Sequence, residues 1–588
     1  MHSDTYSMLL LSKLIRWIGG KRRMLDWWQQ WPAWRSYLLV ALGTVLCLVP
    51  FSGKAFHVDD TLFLFAAQQI VQHPLDPYGF NVVWTTTQER MADITKNPPL
   101  ACYYAAVVGR IAGWSERAFH IAFLMPSIGL VVGTYHLARK FTRFPLVAAA
   151  ATLLTPGILV SATSIMCDIM MAALWMWAVI FWIEGLDSKK PLLLFTSSLL
   201  VAACALTKYF GLALVPLLVV YSVVRLRTVG KWALHLLIPV LVLIGYQLWT
   251  AWLYGRGLIL AAGEFAGIQR LQQQASPLGN AIVGLSFVGG CTLSALTLVP
   301  LLWSRRQVVI GGVLSALGAL ALARGWVDLG LRAAGAEAYH AQQEHWALLA
   351  LQLSLLVGSG SSVLALAFAD IWEQRDAGSV LLALWVLGTF LFAGFLNWTI
   401  NARSVLPLIP AACILMSRGL EKCSALMSWR ALPGLVIGLV LTGALSFWIT
   451  ASDVALANAG RQAAVQIRDY IKPDARRIWF EGHWGFQYYM QSFGFVPADE
   501  KNSDFRVGDR IILPENTTEQ VGIPRRFPYT WAEQSLDFET HYHVTTIGWQ
   551  VGAGFYSSYW GPLPFAIGQI APERYWILRL ESSNENWH

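Results

Sequence analysis

The stretch His57-Val58-Asp59-Asp60-Thr61-Leu62-Phe63 sets two adjacent carboxylates a few residues beyond the first hydrophobic run of the chain. Acids at the lip of a bilayer are costly to desolvate, so a pair there points to function more strongly than a pair on a soluble surface. A carboxylate so placed can take a proton from a reacting hydroxyl. The competing reading is a helix start, because Asp is a favoured N-cap and Asp60 could cap a helix beginning at Leu62-Phe63. The pair alone does not decide between them.

Four other charged residues stand beside or within apolar runs: Lys96 in Thr95-Lys-Asn-Pro-Pro99, Asp168 in Thr163-Ser-Ile-Met-Cys-Asp168, Lys208 in Leu206-Thr-Lys-Tyr-Phe-Gly211, and Arg403 in Asn397-Trp-Thr-Ile-Asn-Ala-Arg403. Each has a plain alternative. Lys and Arg at span ends snorkel to headgroups, and Asp168 could cap the helix that follows it. Taken together, carboxylates and several cations at one lip suit a reaction on a phosphate-bearing lipid. There the cations neutralise a leaving phosphate and a carboxylate handles a proton.

These residues share a lip only if the spans between them are placed correctly. The chain is 56% hydrophobic and only 13% charged, which excludes a soluble enzyme and indicates a polytopic membrane protein. The formal charge of +8 lies largely in short loops between spans, where it reports topology rather than nucleic-acid binding. The seven cysteines all lie in or beside hydrophobic segments, so neither a disulfide framework nor a CxxC metal site is expected.

Residues 1–35, with basic side chains and Trp17, Trp27, Trp28, Trp31 and Trp34, read as a cytoplasmic, interfacial segment. Thirteen crossings follow, at 36–52, 119–138, 146–166, 168–184, 191–207, 209–226, 233–252, 281–303, 307–323, 346–370, 379–397, 404–417 and 433–450. The run 99–112 is too short to span and reads as a re-entrant or interfacial helix. This arrangement puts the outer loop 53–98 and all six charged residues on the non-cytoplasmic side. Residues 36–450 form the membrane domain. Residues 451–588 lose the long apolar runs and read as an extracytoplasmic α/β domain with enough residues for its own core, an amphipathic helix at Ala451–Tyr470, and strands around Ile478 and Tyr575.

The order of these motifs resembles the GT-C class of membrane-embedded glycosyltransferases, in the branch of protein O-mannosyltransferases and lipid A aminoarabinose transferases. The resemblance rests on Asp59-Asp60 after the first span, Lys96-Asn97-Pro98-Pro99-Leu100 before an aromatic helix, and Gly113-Trp-Ser115-Glu116. Asp168, Thr207-Lys208-Tyr209 and Asn401-Ala-Arg403-Ser-Val-Leu-Pro407 complete it. It implies transfer of a sugar from a polyprenyl-phosphate carrier to an acceptor hydroxyl, with inversion, by an integral protein of a bacterial inner membrane. Asp59 would be the general base. Lys96, assisted by Lys208 and Arg403, would hold the lipid phosphate, Asp168 would position a substrate, and Asp60 would position the acceptor or a divalent metal ion. Asn97 and Asp60 depart from the His and Glu usual in the family, which weakens a metal role for either. His340, Glu344 and His345 are the other candidate ligands. The acceptor could be a lipid, a polysaccharide or a protein. A flippase of lipid-linked sugars would instead require charges near the bilayer midplane and paired broken helices. An assembly subunit would tolerate loss of the whole charged set. Glu481-Gly-His483-Trp484-Gly485-Phe-Gln-Tyr488-Tyr489 suits either sugar stacking or a turn with core aromatics.

Overall fold

A computed structural model of the chain describes residues 32–273, 276–326, 343–422, 432–471, 477–515 and 529–581. The basic segment before Pro32, His340, Cys423 and Asn516-Thr-Thr518 lie outside the described residues, as do the side chains of Glu344 and His345.

Among the described residues, ten helices are long and apolar enough to cross a membrane. The pair Pro145–Leu153 and Pro156–Ala162, bent by 59°, passes the same test as one broken span, and the expected crossings 191–207 and 281–303 fall on the shorter apolar helices Pro191–Thr207 and Pro277–Cys291. The protein is an integral membrane protein. Its helix Arg305–Ala323 exposes Val309, Val313, Leu314 and Leu317 along faces that a bilayer would cover.

Two expected spans are not single helices. Pro156 has no N–H to continue the helix from Pro145, and the freed carbonyl of Thr152 takes the Thr155 hydroxyl at 2.9 Å instead. The expected span 281–303 breaks after Cys291 and resumes as the short turns Ser294–Thr297 and Val299–Leu302. Leu100–Ala112 is a 13-residue helix, about 20 Å long at 1.5 Å per residue, too short for a 30 Å core. It packs instead against the helix Asp60–Gln72.

The last span and the expected amphipathic helix are one continuous element, Leu432–Tyr470. The boundary drawn at 450/451 therefore falls inside a helix. Beyond it, a five-stranded sheet runs in the order Val496–Pro497, Ile478–Phe480, Arg510–Pro514, Glu573–Glu581, Tyr529–Phe538. Ile478–Phe480 is parallel to both neighbours and the remaining pairings are antiparallel. Only a small cluster around Trp479, Phe505 and Ile511 is this segment's own. Most of its buried apolar residues, Phe480, Phe486, Phe555 and Ile577 among them, join the core that runs through the spans. The C-terminal part is thereby packed onto the helical spans.

Candidate active site

The segment Lys54–Asp59 links the first span to the helix Asp60–Gln72, and it is held from several sides. Phe56 N donates to Tyr489 Oη at 3.0 Å and Ala55 N to Asn458 Oδ1 at 3.1 Å. Gly485 passes so close that a Cβ there would lie 1.8 Å from Phe56 O. Val58 is forced to φ 47°, a costly left-handed conformation for a β-branched residue. That twist separates the fates of the two acids that follow.

Asp60 turns inward and is fully buried. Its Oδ2 accepts from His57 N at 3.0 Å and its Oδ1 from Ile165 N at 2.8 Å, tying the loop to the end of the broken span. Asp59 occupies the N-cap position of the helix but makes no cap bond. Its Oδ2 instead accepts from Arg403 at 2.7 Å, across 344 residues of sequence. The capping alternative thus fits neither acid simply: Asp60 anchors the loop backbone and Asp59 faces a cation.

Arg403 is presented by the short helix Ala402–Val405, capped by Asn401, whose Oδ1 accepts from Ser404 N at 2.8 Å. Its Nε is buried with no hydrogen-bond partner among the described residues. Asp168, in the first turn of Cys167–Ser188, receives the Lys208 ammonium at 2.6 Å rather than capping its helix. Lys208 sits where Pro191–Thr207 gives way to the turn Tyr209–Ala213. Lys96 donates to Asp93 O and lies 4.5 Å from the centre of the Phe265 ring. Burial and the neighbouring Arg256 both push the Lys96 ammonium below its ordinary value. Arg256 is itself paired with Asp93 at 2.6 Å.

Asp59, Lys96, Asp168, Lys208 and Arg403 line one cavity of about 1390 Å³, together with Arg256. Asp60 is not part of its lining. The expected phosphate-binding cations fall into two groups on the wall, Arg403 and Lys208 with their carboxylates, and Lys96 facing Arg256. Arg256 escaped the sequence reading. Its signal was present in Tyr254-Gly-Arg256-Gly257: a cation at the end of a span, where the expected topology disfavours one. Lys54 carried the same signal. It forms a fully buried pair with Asp453 at 2.5 Å.

Among the described residues, no group of three His, Cys, Asp or Glu side chains could hold a metal ion.

Residues 96–252 match the family model described as dolichyl-phosphate-mannose-protein mannosyltransferase. The chain is similar to the GT-C membrane glycosyltransferases of that branch. The matched segment holds Lys96, Asp168 and Lys208; Asp59 and Arg403 lie on either side of it. ArnT from Cupriavidus metallidurans, in a structure bound to undecaprenyl phosphate, aligns over 82% of this chain and 92% of its own at 16% identity, with a TM-score of 0.39. AglB, an oligosaccharyltransferase from Archaeoglobus fulgidus in complex with an inhibitory peptide and a dolichol-phosphate, aligns over 80% of this chain and 65% of its own at 11% identity, with a TM-score of 0.44. No curated protein matches the chain.

Burial also gives the site a pH signature. It pushes the Asp60 carboxyl from the usual 3.8 up to about 7, against the opposing pull of Lys54 and the backbone donors. The folded chain then binds this proton more tightly than the unfolded chain. The associated stability is complete below about pH 3.8 and is lost as pH rises through about 7. An amide cannot titrate. The unfolding midpoint of wild type should therefore rise relative to Asp60→Asn as pH falls from 7.5 to 4.5, by an amount worth at most roughly 3 kcal/mol. Thermal unfolding of the two purified proteins at both pH values measures this. Parallel profiles would mean Asp60 is ionised in the fold.

Proposed function

We propose that this protein is a glycosyltransferase that moves a sugar from a polyprenyl-phosphate carrier to an acceptor hydroxyl, on the extracytoplasmic face of a bacterial inner membrane. The cytoplasmic position of the N-terminus, and the division into a segment 1–35, a membrane domain 36–450 and an outer domain 451–588, belong to the same reading. The observation that carries it is the convergence of Asp59, Lys96, Asp168, Lys208 and Arg403, drawn from distant parts of the chain, onto one cavity. The family match over residues 96–252 supports the carrier class, since its description names a dolichyl-phosphate sugar.

In this mechanism the Asp59 carboxylate accepts the acceptor O–H proton as the oxygen bonds to C1 of the sugar. The C1–O bond to phosphate breaks on the opposite face and its electron pair leaves with the polyprenyl phosphate, inverting the anomeric centre. Lys96 and Arg256 hold the phosphate, while Arg403 and Lys208 stabilise charge as it develops on the leaving group. Asp168 neutralises Lys208 until the donor arrives and then orients the sugar. The phosphate is already a good leaving group, so fixed cations can take the place of a general acid.

Purified protein supplied with a small panel of radiolabelled polyprenyl-phosphate sugars should transfer label from at least one of them to an added acceptor. Lys96→Ala and Arg256→Ala should each raise the KM for the donor by about 10- to 100-fold, the worth of one charge-assisted hydrogen bond. Tight binding of a donor with no transfer to any acceptor would favour a flippase.

A further inference from the structure

The carbohydrate-suited cluster around Trp484 divides in the fold. Phe486 and Tyr489 are buried in the core, whereas His483 and Trp484 line the cavity. From there an aromatic arc runs along the wall. Trp84 lies 5.4 Å from His483, Trp484 lies 5.6 Å from Trp560, and the adjacent Tyr559 lies 6.1 Å from Trp398. Trp398 in turn lies 5.7 Å from Phe265, the ring under Lys96. The arc therefore ends at the cations assigned to the donor phosphate.

From this arc we infer an acceptor subsite for a carbohydrate: Trp84, His483, Trp484, Tyr559 and Trp560 bind the pyranose rings of a glycan whose hydroxyl receives the transferred sugar. The inference rests on the transferase reading above and adds the class of acceptor to it.

Three features favour a glycan. A pyranose ring has an apolar C–H face and a polar rim, so it gains dispersion on a half-buried indole while its hydroxyls seek partners at the edge. Trp84, Trp484, Tyr559 and Trp560 are all half-buried rather than packed away. His483 supplies such an edge. Gln487 Oε1 lies 3.3 Å from its Nδ1, and the Thr85 backbone lies beside the ring. Finally, the backbone is bent to present these groups: Gly482 has φ 85° and Trp484 φ 62°, a strained conformation for a bulky residue. A peptide held by strand addition would require a run of unpaired strand along this wall. The arc residues come from turns and the start of the helix Trp484–Ser492.

The test uses the full-length protein in detergent. Saturation-transfer NMR would be recorded with mannotriose, chitotriose and a Ser/Thr-containing hexapeptide, and undecaprenyl phosphate binding would be measured on the same samples. At least one oligosaccharide should receive saturation at its ring C–H protons. Trp484→Leu and Trp560→Leu should weaken it by about tenfold or more, with Trp484→Phe and Trp560→Tyr recovering most of that loss. Undecaprenyl phosphate affinity should not move. Absence of any oligosaccharide signal from protein that binds undecaprenyl phosphate overturns the subsite and leaves the transferase reading standing. Loss of hexapeptide or undecaprenyl phosphate binding in the Leu variants, with oligosaccharides unaffected, overturns it too by assigning the arc to those ligands. If wild type fails to bind undecaprenyl phosphate, the transferase reading fails, and the oligosaccharide signal still decides the subsite.

Discussion

Asp59→Asn should lower sugar transfer by about 10²- to 10⁴-fold while leaving polyprenyl-phosphate binding and the unfolding midpoint close to wild type. The amide has the size and shape of the carboxylate but cannot take the acceptor proton at neutral pH. Folding is spared because Asp59 makes no cap bond. An amide oxygen can still accept the Arg403 N–H that lies 2.7 Å from the carboxylate, and Asp168 remains as a second negative neighbour for that guanidinium. Donor binding is spared because the cations assigned to the phosphate are untouched. Initial rates with labelled donor, beside equilibrium binding of the product polyprenyl phosphate, separate the two effects. A fall in kcat with KM unchanged marks loss of a group used in the transition state. Near-wild-type transfer by Asp59→Asn would remove Asp59 as the base, and a parallel collapse of donor binding would make the residue structural. Asp59→Glu, which keeps the carboxylate but shifts it by a methylene, should fall between wild type and the amide.

The spans were readable because hydropathy is local: each expected crossing has helix within it. The charged site residues were readable for the same reason, since each stands beside or within an apolar run. Partners were not readable. Nothing near Asp59 in sequence announces Arg403, and nothing near Lys54 announces Asp453, because an ion pair across hundreds of residues depends on how the spans pack. Asp60 illustrates a finer limit. Its neighbour Val58 adopts a left-handed conformation that no propensity favours, and that twist decides which acid faces the cavity. The helix Leu432–Tyr470 shows what composition alone does not report. Its composition changes sharply at residue 450 and suggested a domain boundary, yet helix hydrogen bonding is indifferent to a change from apolar to polar surroundings. Pro156, by contrast, was a visible breaker inside an expected span.

Lys54→Met alone should cost about 3–5 kcal/mol of stability, and the double substitution Lys54→Met/Asp453→Asn should recover at least half of it. Both side chains of the pair are fully buried, 2.5 Å apart. Removing the ammonium leaves a carboxylate in the core with hydrogen bonds from Thr546 at 2.5 Å and Tyr556 at 3.1 Å but no opposing cation in contact. Neutralising the acid as well removes the stranded charge, while the amide oxygen still accepts from Tyr556. Unfolding midpoints of the wild type, both single variants and the double variant form a cycle whose coupling term isolates the pair. A coupling near zero would mean water or another ion compensates the carboxylate. The pair also reaches the site. Tyr556, anchored on Asp453, faces Arg403 with its ring 5.9 Å from the guanidinium, and Lys54 fixes the start of the loop that carries Asp59. The double variant, with the hydroxyl still held, should therefore keep transfer within a few fold of wild type. Asp453→Leu in place of the amide frees Tyr556 and should lower kcat more than it raises the KM for the donor, because the Arg403–Asp59 geometry loosens where the proton is taken. Equal losses in the two double variants would confine the Lys54–Asp453 pair to stability.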